Sequence, residues 1–209
     1  HPDFFAKFRN HPVHIRRSAP RIGEHQAEIL GEIREPTALE VPARPEAEGT
    51  GIFSGLHVLE IGSGAAGPVA TRYFAEHGAH VIRVESGVRP DFLRILFMTR
   101  ESRFGVDGSP MFVLLNGNKD SVTLNLKSAE AQELVRKLVG WADVLCENYA
   151  PGVMGRFGLD YESVRSIKPD IVMASGCLFG QTGPQRSYPG FGAQGSAISG
   201  FKHLTGWPE

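Results

Sequence analysis

The chain is poor in cysteine, in net charge and in long apolar segments. Its 209 residues include two cysteines, Cys146 and Cys177, which are too few for a disulfide framework and lack the spacing of a metal site. The formal net charge of -1 gives no indication of a nucleic-acid partner or an anionic membrane surface. No apolar run is long enough to cross a bilayer. These absences favour a globular, cytoplasmic protein without a metal, a membrane or a nucleic-acid partner.

What the sequence does contain is an alternation of strand-like and helical patterns. Apolar residues, 41% of the total, recur at strand and helix periods from Phe53 onward. Ser128 is a candidate N-cap for one of the helices. The alternation predicts an α/β fold, a Rossmann-like doubly wound parallel sheet. The predicted strands are HVLEI (57–61), HVIRVE (80–85), SVTLNL (121–126), DVLCEN (143–148) and DIVMASG (170–176), and the predicted helices cover 68–77, 128–142 and 158–168.

The composition changes twice before this alternation begins. Residues 1–34 hold a short helical pattern, and residues 35–51 are rich in Pro, Glu and Ala, which is typical of an extended linker. Strand and helix patterns begin after this linker, so residues 52–209 are predicted to form a separate domain. We expect residues 1–34 to be the end of one module and the chain to be a piece of a longer protein.

The stretch LEIGSGAAGP raises the question of a nucleotide site. Gly62, Gly64 and Gly67 match G-x-G-x-x-G between a strand and a helix, and Glu85 ends the next strand. This pattern suits an NAD site, because glycines let the backbone approach a phosphate at a helix N-terminus. It equally suits an S-adenosylmethionine methyltransferase, or a tight turn that binds nothing. Pro68 argues against the first two, since it removes one N–H donor.

Motifs further along the chain help to decide between these alternatives. The chain contains AGP, N-x-N-K, ENYAPG, R-x-G-L-D-Y and GQTGP, in that order. With this order and spacing, residues 55–208 resemble the family III CoA-transferases, also called the CaiB/BaiF family. The segment APRIGEHQAEIL (19–30) resembles the C-terminal segment of a family member. The resemblance therefore implies the junction of two tandem modules.

The resemblance implies a binding site for coenzyme A or acyl-CoA. Lys119 would offer a point charge to a phosphate, Arg156 would hold a phosphate through two parallel N–H bonds, and Tyr149 would stack on adenine. It also implies an interlocked homodimer, or the same pairing between tandem modules of one chain. The positions that match the family's CoA-binding segments are Gly64, Ala65, Ala66, Asn118, Lys119, Asn148, Tyr149 and Arg156.

The implied activity is transfer of CoA between an acyl-CoA and a carboxylic acid. In the family, as the resemblance has it, an aspartate in a PG(Y/F)D segment attacks the thioester, but this sequence reads PGFGAQ and places Gly192 there. Three hypotheses stay open. Another module carries the aspartate, the protein performs isomerase, racemase or lyase chemistry on an acyl-CoA, or this half binds CoA without catalysis. A methyltransferase or NAD-binding protein is a more remote alternative.

Overall fold

The computed structural model describes residues 16–32, 51–96, 98 and 103–206. None of the helices within these residues is long and apolar enough to cross a membrane. A 3-10 turn covers Gly105–Gly108. In chain order the helices and strands are α1 (Gln26–Glu32), β1 (His57–Ile61), α2 (Ala66–Glu76), β2 (His80–Glu85), α3 (Phe92–Leu96), α4 (Pro110–Asn116), β3 (Asp120–Thr123), α5 (Ala129–Trp141), β4 (Val144–Glu147), α6 (Val153–Arg156), α7 (Tyr161–Ile167), β5 (Val172–Ser175), α8 (Gly192–Ile198) and α9 (Phe201–Leu204).

The five strands form one parallel sheet in the order β3-β2-β1-β4-β5. The predicted α/β class and doubly wound parallel sheet are therefore confirmed. The strand order reverses between β1 and β4, and open sheets of this kind leave a crevice there at the carboxyl ends of the strands. The fold consequently places the loops after β1 and β4 side by side.

Local sequence signals determine where several elements begin and end. The Ser128 side chain accepts a hydrogen bond from the Ala131 N–H, so it caps α5 as predicted. Asp160 caps α7 in the same way. The third strand is shorter than the predicted 121–126, because a turn from Asn125 to Ser128 follows it closely.

The two faces of the sheet are packed differently. The face toward α5 and α7 is apolar, with Leu59, Leu145 and Val135 in one core cluster. The face toward α2 carries charged side chains, since Glu60 on β1 lies beside Arg83 on β2 in the parallel register. Alternate residues of a strand point to opposite faces, so each strand contributes to both environments.

The charged side chains beneath α2 form a buried ionic network. Arg83 pairs with Glu60 and with Asp91, and Arg94 pairs with Glu85 at 2.7 Å. Burial alone would raise the pKa of Glu60, but Arg83 and a lysine beside it outweigh burial and hold that pKa below its usual value. The network therefore stays ionised inside the protein.

Residues 16–32 pack against the edge strand β3. The His25 N–H donates to the Ser121 carbonyl at 3.2 Å, Arg17 pairs with Asp120, and Ile29 is buried in the main apolar core. Helix α1 confirms a helical element in the first predicted unit. The predicted linker at 35–51 lies outside the described residues except for Gly51.

Replacing Arg83 with Met should destabilise the protein strongly. The substitution leaves Glu60 and Asp91 buried without their main partner, which should lower the free energy of unfolding by about 3–5 kcal/mol. Urea denaturation of the full-length protein at pH 7 would measure the change.

Arg165→Met, on the exposed side of α7, is the matched control and should change the same free energy by less than about 0.5 kcal/mol. Equal stability of the two variants would show that the network does not hold the fold.

Candidate functional site

The candidate site lies at the carboxyl edge of the sheet, where the loops after β1 and β4 meet. Asn148 joins them, because its Oδ1 accepts the Ser63 N–H at 2.9 Å and its Nδ2 donates to the Ser63 carbonyl at 2.7 Å. A Cβ on Gly62 would lie 2.4 Å from Asn148 Oδ1. Glycine at position 62 is therefore what lets the amide of Asn148 close over the turn.

The other side of the turn is held by the segment that follows β2. Gly64 has a φ of +77°, and its N–H donates to Asp91 Oδ2 at 2.9 Å. The second oxygen of Asp91 accepts the Leu93 N–H at 2.8 Å and so begins α3. A Cβ on Gly64 would come within 2.7 Å of the Phe92 ring, which covers the turn.

These contacts decide what the turn can offer to a ligand. The N–H groups of Ser63 and Gly64 donate within the protein, and Pro68 has no N–H. A dinucleotide pyrophosphate needs several free donors at such a turn, so this geometry does not favour NAD. The start of α2 remains accessible, since Ala65 and Ala66 are exposed and Ala65 makes no side-chain capping bond.

Lys119 does not reach this edge as a free cation. Its Nζ is fully buried and donates to Glu60 at 2.8 Å, the Pro68 carbonyl at 2.9 Å and Asn116 Oδ1 at 3.0 Å. Burial lowers the pKa of Lys119 to about 8. The expectation that Lys119 is a point charge for a phosphate is wrong, because this side chain joins α2 to the sheet.

Asn118 also has a structural role, because its side chain binds the backbone of the N-terminal segment. It has a φ of 64°, and its Oδ1 accepts the backbone N–H groups of Arg16 and Arg17 at 2.7 and 3.1 Å. It precedes β3, whereas the loops at the candidate site follow their strands. In a parallel sheet these positions belong to opposite edges, so Asn118 is not brought together with the turn.

Four of the remaining predicted residues lie together at the carboxyl edge, and the other two follow Asn148 along the chain. Gly64, Ala65 and Ala66 lie after β1, and Asn148 lies beside them. Tyr149 packs against the apolar core, and burial raises the pKa of its phenol. Arg156 is exposed in the last turn of α6, a short helix that begins after the same loop.

Gly192 is the exposed first residue of α8. The ring of Phe191, just before it, contacts the ring of Phe92, with centroids 5.9 Å apart. Because the Phe92 ring covers the turn at Gly64, the start of α8 lies close to that turn. A Cβ on Gly192 would meet no atom within 4 Å. The position has room for a side chain but supplies no reactive group.

Several residues at this edge were not predicted from the sequence. Asp91 has no local signal, whereas Glu147 directly precedes Asn148 in the ENYAPG motif and could have been noticed. Arg89 and Lys127 are exposed basic residues on the loops after β2 and β3. Within the described part of the chain, no group of three or more His, Cys, Asp or Glu side chains is arranged to hold a metal ion.

Known proteins with similar sequences and structures are CoA-transferases and their relatives. A succinyl-CoA–D-citramalate CoA-transferase of Chloroflexus aurantiacus is 36% identical over 155 residues, which cover 74% of this chain and 37% of that protein. A mouse succinyl-CoA:glutarate CoA-transferase is 33% identical over 198 residues, covering 87% of this chain and 44% of that protein. The chain spans less than half the length of these relatives.

A solved structure shows the same fold. The crystal structure of a CaiB/BaiF family protein from Brucella suis has a TM-score of 0.69 and 35% sequence identity, covering 76% of this chain and 42% of that chain. The sequence pattern of CoA-transferase family III matches residues 53–209, which include every strand of the sheet and the turn described above. The chain therefore belongs to the family III CoA-transferases.

Proposed function

We propose that the full-length protein is an enzyme that moves CoA between an acyl-CoA thioester and a carboxylic acid. The observation that carries this proposal is the family III match over residues 53–209. Several relatives are named for transfer to small dicarboxylic acids, such as the acetyl-CoA:oxalate CoA-transferase of Acetobacter aceti, 36% identical over 168 residues. A small dicarboxylic acid is accordingly the first acceptor to test.

Residues 52–209 would supply the CoA site at the carboxyl edge of the sheet. The exposed start of α2 at Ala65 and Ala66 would face the thiol end, and Asn148 and Tyr149 would contact the nucleotide. Arg156 would bind a phosphate, since an arginine can present two parallel N–H groups.

Two further cations would take the role that buried Lys119 cannot fill. Arg89 and Lys127 are exposed and lie on loops that follow β2 and β3, the same edge as Arg156. Burial raises the pKa of the Tyr149 phenol, and the charges of Arg83 and Arg89 oppose that shift. The proposed site thus combines an aromatic face with cations from three loops.

The transfer itself needs a carboxylate nucleophile. Its oxygen would attack the thioester carbonyl and the C–S bond would break, giving a mixed anhydride and the CoA thiolate. The thiolate would then attack the enzyme carboxyl of the anhydride, which releases the donor acid and leaves an enzyme thioester. The acceptor carboxylate would attack that thioester to form a second anhydride, and the thiolate would attack its acceptor acyl group, which frees the enzyme carboxylate. Gly192 has no side chain for this step. We assign the nucleophile to a part of the full-length protein outside residues 16–206.

The arrangement of modules forms part of the same proposal. Residues 1–34 would be the end of an upstream module, and the linker at 35–51 would join it to the second. The proposed assembly is an interlocked homodimer or the equivalent pairing of tandem modules in one chain, in the cytoplasm. The packing of residues 16–32 against β3 supports a close association of the two units.

The full-length protein should bind CoA with micromolar or tighter affinity in a calorimetric titration. Arg156→Ala should weaken that affinity about tenfold, the equivalent of roughly 1.4 kcal/mol, because a charge-assisted phosphate contact is lost. Pantetheine, which lacks the nucleotide, should bind both proteins equally.

Arg165→Ala is the matched control, since both arginines are exposed in the last turn of a short helix. It should bind CoA like the unmodified protein. Heat from NAD or S-adenosylmethionine without heat from CoA would contradict the proposed ligand.

Hydroxylamine should trap an enzyme-bound carboxyl adduct when the full-length protein is incubated with an acyl-CoA. Mass spectrometry should locate the resulting hydroxamate outside residues 16–206, because the attacking carboxylate is assigned there. Addition of oxalate or glutarate should compete with trapping by accepting CoA. The absence of an adduct anywhere in the chain would contradict the transferase mechanism.

A further inference from the structure

Glu147 is the last residue of β4, the strand that lies between β1 and β5 in the sheet. In the parallel register it pairs with Ile61, the last residue of β1, and with Ser175, the last residue of β5. The loops that follow all three strands therefore begin around this one side chain. Only 3% of Glu147 is exposed to solvent.

Both carboxylate oxygens of Glu147 bind groups from these loops. Oε2 accepts the Tyr149 N–H at 2.8 Å, and Oε1 accepts Gln181 Nε2–H at 3.4 Å. The backbone carbonyl of Glu147 accepts the Gly176 N–H at 2.8 Å. One residue thus connects the ENYAPG turn after β4 with the GQTGP loop after β5.

Glu147 differs from the other buried acids of the sheet. Glu60, Glu85 and Asp120 each pair with an arginine. Burial raises the pKa of Glu147 and outweighs the hydrogen bonds from Ser175 and Tyr149, and within the described residues its carboxylate accepts hydrogen bonds but forms no ion pair with a cation.

An apolar side chain would fill this place at lower cost to stability, because a buried carboxylate without a cation is expensive to desolvate. A stabilising role therefore does not account for Glu147. Its neighbour Asn148 ties the loop after β1 through Ser63, while Glu147 ties the loops after β4 and β5. Together the two residues connect all three loops at the point where the strand order reverses.

We propose that Glu147 is a positioning residue of the CoA site, which fixes the turn carrying Tyr149 relative to the GQTGP loop through its two carboxylate oxygens. The role rests on the proposed function, because it assigns CoA to this edge. Loss of the bridge leaves the reacting groups in place but makes the nucleotide side of the site mobile. The effect should therefore fall on substrate binding rather than on the chemical step.

Glu147→Ala and Glu147→Gln in the full-length protein separate this role from a general effect on folding. The alanine variant should raise KM for the acyl-CoA about tenfold and change kcat by less than about threefold, as expected for loss of ground-state binding. The glutamine variant should restore most of the affinity, since its amide oxygen still accepts the Tyr149 N–H and Gln181 can turn its own amide. A fall in kcat with an unchanged KM would overturn the proposal.

Hydrogen exchange without ligand tests the bridge independently of activity. Glu147→Ala should speed amide exchange in 149–153 and 176–184, and Gln181→Ala, which keeps the bond between Glu147 and the Tyr149 N–H, should do so in 176–184. Asp170→Asn, at the opposite end of β5 and highly exposed, is the matched control and should alter neither segment. Unchanged exchange in both bridge variants would overturn the positioning role. If exchange increases but the unmodified protein neither binds nor transfers CoA, the bridge stands and the proposed function fails.

The titration of Glu147 gives a pH-dependent signature. Because its pKa is raised from 4.5 in the folded protein, the folded state holds this proton more tightly than the unfolded state. The stability contributed by the group is present below about pH 4.5 and is lost as the pH rises through the folded pKa. Relative to Glu147→Gln, the unmodified protein should lose stability in urea as the pH rises from 4.5 to 7, and a constant difference between the two would contradict a raised pKa.

Discussion

The buried ionic network beneath α2 is the constraint on which the rest of the site depends. Three acids and three bases form its buried part, none of them more than 6% exposed, and Arg94 also pairs with the partly exposed Asp107. An unpaired charge in this interior would be costly, so each side chain has little freedom to move. Asp91 connects the network to the turn after β1, because it pairs with Arg83 and accepts the Gly64 N–H. The network consists of Glu60, Glu85, Asp91, Arg83, Arg94 and Lys119.

The geometry of the turn explains why a glycine pattern typical of dinucleotide sites accompanies a CoA-transferase fold. The glycines serve close packing against Asn148 and Phe92, and two of the amides are bound within the protein. In the proposed site, the ligand would contact the start of α2 and the loops after the other strands. Glu147, the last residue of β4, binds groups from two of those loops.

The fold was largely predictable from local patterns, and part of the site was not. Period-two apolar runs indicated each strand, and Ser128 indicated the start of α5, because these signals act over a few residues. Asn148 was predicted from its motif and does join the loops after β1 and β4, while its role and that of Arg156 in binding CoA stay predictions. Lys119 was assigned to a phosphate from its motif, yet its Nζ binds Glu60, a residue distant in sequence.

The sequence by itself determined the alternation of strands and helices, the need for glycine in the turn and membership of the family, because each depends on the identity and order of neighbouring residues. The tertiary structure alone decided which charges are buried and which remain available to a ligand. Which charges are buried follows from the register of β1 with β2 and from the position of α2 over these strands. The free energy of a charged group depends on the partners that folding brings to it, and those partners come from distant parts of the chain.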